Sequence, residues 1–258
     1  MFSSRSEFEN FIDLLIRLTE KELRTRYKYT IFGFFWLVAN PLLQMLVIGF
    51  VFTFFMKEPI SNYNLFLFIG LLLWNFFSLS LTKTTPCIVN ERSLIKKSKF
   101  PHSVIPLSII MSNFIHLISA FVLLLIPITF IGTFSIEKTV YVLLGFIFLI
   151  SFTAGLSLFT SALNVKYRDV NFFVQALLII WFYATPIIYP LSIIPYKFYW
   201  FWRFNPLTSV FQFFQYALLD KPLPGIGMIT MNILVIVVVS LLGIYVFQKE
   251  SRNFDDWI

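Results

Sequence analysis

Long stretches without an ionised side chain alternate with short charged knots along this chain: residues 29–56, 59–82, 100–136, 139–165, 170–196, 204–219 and 222–248 are all free of Asp, Glu, Lys and Arg. A helix crosses the hydrocarbon of a bilayer with about 20 apolar residues, and six of these runs satisfy that length. The exception, 204–219, is short and is flanked by Pro195, Pro206, Pro222 and Pro224. It predicts one arm of a re-entrant or interfacial pair whose other arm is 190–202. Run 100–136 is too long for one helix and too short for two, and Pro101 and Pro106 place its start at the interface and its span at 107–131. The expected fold is an all-α integral membrane protein with six transmembrane helices and one re-entrant pair before the last span.

Polar positions add detail. Ser4-Arg-Ser-Glu7 resembles a capping box, and Phe8, Phe11, Ile12, Leu15 and Leu18 then share one helical stripe with charges opposite. That predicts an amphipathic helix at the membrane surface, or packed on a partner. In the first span, Trp36, Asn40 and Gln44 are spaced four apart, and in the fifth Asn171, Gln175, Phe182, Thr185 and Tyr189 recur at helical spacing. Amides in lipid need partners or water, so these stripes predict either helix–helix hydrogen bonds or a lining offering hydrogen bonds and aromatic faces to a sugar chain. Ala154, Ser157 and Ser161 predict close helix packing in the fourth span.

Composition points the same way: 58% of the 258 residues are hydrophobic and 13% are charged, against about 25% charged in soluble domains. The net charge of +7 is unevenly placed. Segments 1–28, 83–99, 166–169 and 249–258 hold 15 of the 20 Lys and Arg residues, which makes them the cytoplasmic side. Both termini are then cytoplasmic, and no nucleic-acid partner is needed to explain the charge. The acidic residues among the first 28 do not read as a secretory leader. Segment 83–99 carries Thr85 as a helix cap, Pro86 at the first position, an apolar side of Ile88, Val89 and Ile95, and a basic remainder. A bare positive loop needs no such helix, so the segment predicts a docking element for a soluble partner. Lys166-Tyr-Arg-Asp169 is a hairpin whose cations favour the end of one helix and whose Asp169 favours the start of the next.

Catalytic motifs are missing from the sequence. It has no phosphate-cradling glycine loop, one cysteine (Cys87) and two histidines (His102 and His116), so neither catalysis nor a metal centre is expected, and His116 reads as a packing residue. Proton- and ion-coupled transporters usually place charges within their spans. These spans have none, so any transport must draw its energy from outside the lipid through the cytoplasmic helices, which favours a partner with ATPase activity over secondary transport.

The stretches Arg26-Tyr-Lys-Tyr-Thr-Ile-Phe-Gly-Phe-Phe-Trp-Leu-Val-Ala-Asn-Pro-Leu-Leu-Gln44, Phe100-Pro-His-Ser-Val-Ile-Pro-Leu107, Leu163-Asn-Val-Lys-Tyr-Arg-Asp169, Thr185-Pro-Ile-Ile-Tyr-Pro190 and Asn205-Pro-Leu207 resemble the permease subunits of type-2 ABC exporters for polysaccharides (O-antigen, capsule and teichoic acid). The resemblance implies an interface helix within residues 1–30, a transmembrane domain over 31–248 and a cytoplasmic tail over 249–258. It implies a homodimer in the cell membrane, docked on two copies of an ATPase subunit that binds ATP and Mg. Residues 7–28 and 85–99 would meet that ATPase, with Ile88, Val89, Glu91, Arg92, Ile95 and Lys96 as coupling residues. Lys166, Arg168 and Asp169 would add a contact or gate, and 190–219 would cap the outer mouth. Spans one and five would line the channel for a glycan linked to lipid through a diphosphate. Arg24, Arg26 and Lys28 lie where that head group could be held by charge-assisted hydrogen bonds, although positive-inside topology also accounts for them. Small-molecule exporters share the architecture, and an ATP-independent transporter or channel is the remaining alternative.

Overall fold

An α-helix lies along each of the long uncharged runs in a computed structural model of the chain, which describes residues 5–28, 33–55, 62–97, 100–131 and 136–257. They are α1 (Arg5–Tyr27), α2 (Trp36–Phe55), α3 (Tyr63–Thr84), α4 (Cys87–Asn90), α5 (Arg92–Lys97), α6 (Val104–Ile131), α7 (Thr139–Lys166), α8 (Asp169–Ala184), α9 (Tyr199–Phe204), α10 (Pro206–Leu219), α11 (Ile226–Glu250) and α12 (Phe254–Trp257). No β-strand occurs among the described residues. Backbone groups in hydrocarbon have no water to pair with, and a helix satisfies them internally. The Ser4 end of the expected capping box and Lys57 lie outside the described residues.

Four helices among the described residues are long and apolar enough to cross a membrane: α3, α6, α7 and α11. Two more apolar stretches, Val38–Phe52 within α2 and Asp169–Ala184, are shorter. The 16 residues of α8 extend only ~24 Å. The expected span 170–196 therefore breaks early. Thr185 turns extended (φ −106°, ψ 141°) because Pro186 disfavours helical backbone in the residue before it. Thr185, Ile187 and Ile188 then continue as buried, non-helical chain.

The expected re-entrant pair takes an uneven form. α10 is its firm arm, started by Pro206 and capped by Asn205, with every residue but Tyr216 buried. The arm at 190–202 is not one helix. It makes turns at Leu191–Ile193 and Tyr196–Phe198 before the six-residue α9, because Pro190 and Pro195 lack the amide hydrogens that a continuous helix needs. Its Tyr196, Trp200 and Phe201 are exposed.

Lipid tails are as apolar as leucine, so helices associate in a bilayer through packing and hydrogen bonds. α7 and α11 cross so closely that a Cβ added at Gly243 would stand 1.9 Å from the Gly155 carbonyl oxygen. Ser240 donates to the Ser151 carbonyl across the same crossing at 3.0 Å. Ser157 and Ser161 are buried as the small-residue pattern predicts, while the tightest contact falls on Gly155. Rings complete the core: Phe77 stacks on Phe152 at 5.6 Å and meets the Trp181 edge at 5.4 Å.

A second apolar cluster gathers Cys87, Ile88, Ile95, Ile105, Val165, Phe247 and Phe254. It ties together the loop after α3, the start of α6, the end of α7 and the C-terminal tail. Lys21 pairs with Glu91 at 2.7 Å, and Lys166 lies over the Trp257 ring at 5.5 Å. The basic segments thus share one end of the bundle, as the charge pattern predicts, and a Lys138–Asp220 ion pair joins α10 to the start of α7 away from that cluster.

Candidate functional site

At the basic end, the last turn of α1, the first turns of α2 and the adjoining halves of α3 and α6 enclose a cavity of about 530 Å³. Its polar wall carries Arg26, Trp36, Asn40, Asn75, Lys83, Asn113 and His116, and Leu72, Phe76, Leu79 and Leu117 form the apolar wall. From Lys83 to Leu72 the lining follows α3 for ~16 Å, about half the hydrocarbon thickness. Hydrogen bonds fix the polar wall: Arg26 donates to Asn113 Oδ1, and Asn113 donates to Ser80 Oγ at 3.0 Å. Asn75 donates to Gln44 Oε1 at 3.3 Å. α1 is anchored above this wall, with the buried Thr19 hydroxyl 3.5 Å from the Ser108 carbonyl.

The amphipathic helix is present, and its stripe is used within the chain: Phe11, Ile12, Leu15 and Leu18 are half-buried and Phe8 is exposed. In the first predicted lining stripe, Trp36 and Asn40 border the cavity, and Gln44 is held by Asn75. The second stripe does not join them within one copy of the chain. Asn171 is half-buried with no partner for its Oδ1, and Gln175 is exposed. Phe182 packs on Trp74 at 5.5 Å. Thr185 is fully buried, donating to the Trp181 carbonyl at 2.9 Å and accepting from Asn205 at 3.0 Å. Tyr189 donates to the Tyr183 carbonyl at 2.8 Å. Once the helix ends at Ala184, Thr185 and Tyr189 leave the face that the helical spacing assigned to them.

The docking segment is revised as well. Thr85 is not an N-cap: its hydroxyl donates to the Leu81 carbonyl at 2.8 Å and lies 3.1 Å from the Thr160 hydroxyl, finishing α3. The expected single helix is split into α4 and α5 at Glu91. Ile88 and Ile95 are 0% and 4% exposed, inside the chain's own second cluster, so they brace the segment from behind and present no surface to a partner. Arg92 and Lys96 are exposed, while Val89 and Glu91 are half-buried. Burial also pushes the Cys87 thiol well above its ordinary pKa. Lys166, Arg168 and Asp169 are exposed between α7 and α8.

Of the three expected head-group cations, Arg24 pairs with Glu20 on the helix surface, Lys28 is exposed, and Arg26 alone borders the cavity. Sequence reasoning missed Lys83, Asn75 and Asn113 and treated His116 as packing. The available signal was the pair Asn113 and His116, three apart on one face of a span.

These features define a helical membrane protein with a basic-ended bundle and a cavity reaching into it from that end. The chain matches the ABC-2 type transporter family over residues 13–219 and belongs to it. It is 35% identical over 250 residues to the O-antigen export system permease protein RfbA of Klebsiella pneumoniae, covering 94% of this chain and 93% of that one. A second RfbA of Klebsiella pneumoniae is 33% identical over 243 residues, with the same coverage. The protein of the same name from Myxococcus xanthus is 31% identical over 254 residues, 98% of each chain.

Proposed function

We propose that the chain is the membrane-spanning permease subunit of an ATP-driven exporter, moving a lipid-linked polysaccharide of the O-antigen type from the cytoplasmic to the outer face of the cell membrane. The observation that carries the cargo class is end-to-end similarity to three O-antigen export permeases. α2, α3, α6, α7, α8 and α11 act as six spans, with both termini cytoplasmic. α2 and α8 suit this role, because each leaves an exposed face carrying Trp36 and Asn40 or Gln175 and Tyr183. Two copies of the chain bring those faces together as the channel, with Asn171 and Phe182 at its margins.

The chain performs no bond chemistry itself. ATP and Mg belong to two copies of a separate ATPase subunit, which meets α1, the exposed Arg92 and Lys96, and the Lys166–Asp169 hairpin. Closure of that ATPase pushes α4 and α5, and their buried Ile88 and Ile95 transmit the push to the ends of α3, α6 and α7. The absence of Asp, Glu, Lys and Arg from run 139–165 and its neighbours supports an external energy source over ion coupling. Deleting the gene should trap completed lipid-linked glycan on the cytoplasmic side, and wild-type chain should restore surface glycan only beside a catalytically intact ATPase. Normal surface glycan in the deletion strain would refute the proposal.

A further inference from the structure

We infer that the pocket between the 190–203 arm, α10 and the start of α11 is a binding site for an acidic sugar unit of a glycan. The inference rests on the permease reading and deepens it, because it names a chemical class of sugar that the chain holds.

This pocket lies at the other end of the bundle from the basic segments, ~36 Å along α11 from Glu250. Its volume of about 340 Å³ is that of a small-ligand site. Tyr196 and Tyr199, with ring centroids 5.5 Å apart, come from the broken arm. Arg203 comes from the last turn of α9, and its backbone is fixed by Asn232 of α11. Fully buried, Asn232 donates to the Arg203 carbonyl and accepts from the Ser209 amide at 3.0 Å. Gln212 of α10 lies on the floor, 7% exposed, and its Oε1 is buried without a hydrogen-bond partner among the described residues. An unpaired buried amide is costly, and a ligand hydroxyl would satisfy it.

The rim adds donors. A Cβ placed on Gly225 or Gly227 would meet nothing within 4 Å, so the backbone there is open. Gly225 has no side chain with which to cap α11, and its carbonyl accepts from the Met228 amide at 2.8 Å. The Ile226 and Gly227 amides come before any intrahelical partner, at the positive end of a 25-residue helix. No carboxylate lines the pocket to answer these donors and Arg203, and a carboxylate on the ligand supplies that charge. The tyrosine rings offer apolar surface to the C–H face of a sugar ring. Arg203 is the single cation among the described lining residues. A phosphorylated lipid head is held by clustered cations, so the lining favours a sugar acid over a lipid phosphate.

The test uses the purified full-length chain in detergent, with tri-galacturonic acid as the probe and binding followed by saturation-transfer NMR. The wild type should bind the probe, and neutral maltotriose should bind about tenfold more weakly, as loss of a charge-assisted hydrogen bond implies. Arg203→Gln should weaken probe binding by about the same factor. Gln212→Ala and Tyr196→Ala should each weaken it severalfold. Arg203 and Tyr196 are exposed, so their variants should melt with the wild type. Lys197→Gln, beside Tyr196 but outside the lining, should bind like the wild type. The inference is overturned if the wild type does not bind the probe, if Arg203→Gln binds it unchanged, or if maltotriose binds as tightly. It is also overturned if phosphatidylglycerol added to the micelles displaces the probe fully, which would mark an anionic-lipid site. The deletion phenotype reads the permease proposal separately, so the site can fail while that proposal stands.

Discussion

Gly243→Ala tests the closest contact in the bundle. Its Cβ would sit 1.9 Å from the Gly155 carbonyl oxygen and 2.6 Å from the carbonyl carbon. An ordinary carbon–oxygen contact is about 3.4 Å, so α7 and α11 would have to part by about 1.5 Å. A gap of 0.5–1 Å already forfeits a quarter to a half of each dispersion well. The Ser240–Ser151 hydrogen bond, now 3.0 Å, would pass beyond reach. Overpacking costs about 1–3 kcal/mol, and a lost interhelical hydrogen bond in a membrane costs about 0.6 kcal/mol. Alanine's better helix propensity returns at most about 1 kcal/mol. The net is a loss of roughly 1–3 kcal/mol. Gly227→Ala is the control, because a Cβ there meets nothing within 4 Å. Unfolding can be followed by a thiol-reactive dye on the single cysteine, Cys87, which is 3% exposed and protected while the bundle is folded. Gly243→Ala should melt several degrees below the wild type and Gly227→Ala with it. If the two variants melt together, the crossing is not as tight as described.

Other substitutions separate support from surface. Asn205→Ala removes the cap of α10 and leaves the Trp181 indole N–H and the Leu207 amide without their acceptor. A loss of roughly 2–4 kcal/mol in detergent melting is expected. Ile88→Asp places a charge at a fully buried position and should prevent accumulation of folded chain on size-exclusion chromatography. Arg92→Glu with Lys96→Glu should leave melting unchanged while abolishing co-purification with the ATPase and export. Phe254→Ala opens a cavity beneath Phe247 and His102 and should cost about 3–5 kcal/mol, which would show the C-terminal tail to be part of the fold.

The four long apolar helices, the shared basic end and the turn at Lys166–Asp169 were legible because bilayer thickness and charge placement impose them directly. The length of α8 was less so: the uncharged run continues to Tyr196, and only the local effect of Pro186 on Thr185 stops the helix. The apolar side of 85–97 was visible too, yet an amphipathic segment at a membrane edge has two surfaces to choose between. Nothing local indicates that Ile88 and Ile95 turn toward Phe254, which lies more than 150 residues away. The cavity was hidden for a related reason. Arg26, Asn40, Asn75, Lys83 and Asn113 come from four helices, and each reads alone as a topology charge or a packing amide.

The central claim, that motive force enters from an ATPase at the basic end and moves a lipid-linked glycan outward, is tested most directly by reconstitution. Chain and ATPase are placed in vesicles whose lipid-linked glycan starts on the ATPase side, and the glycan reaching the opposite leaflet is measured with a membrane-impermeant glycosidase. The account predicts transfer with ATP, none with a non-hydrolysable analogue, and none from Arg92→Glu/Lys96→Glu vesicles. Equal transfer without ATP would contradict it.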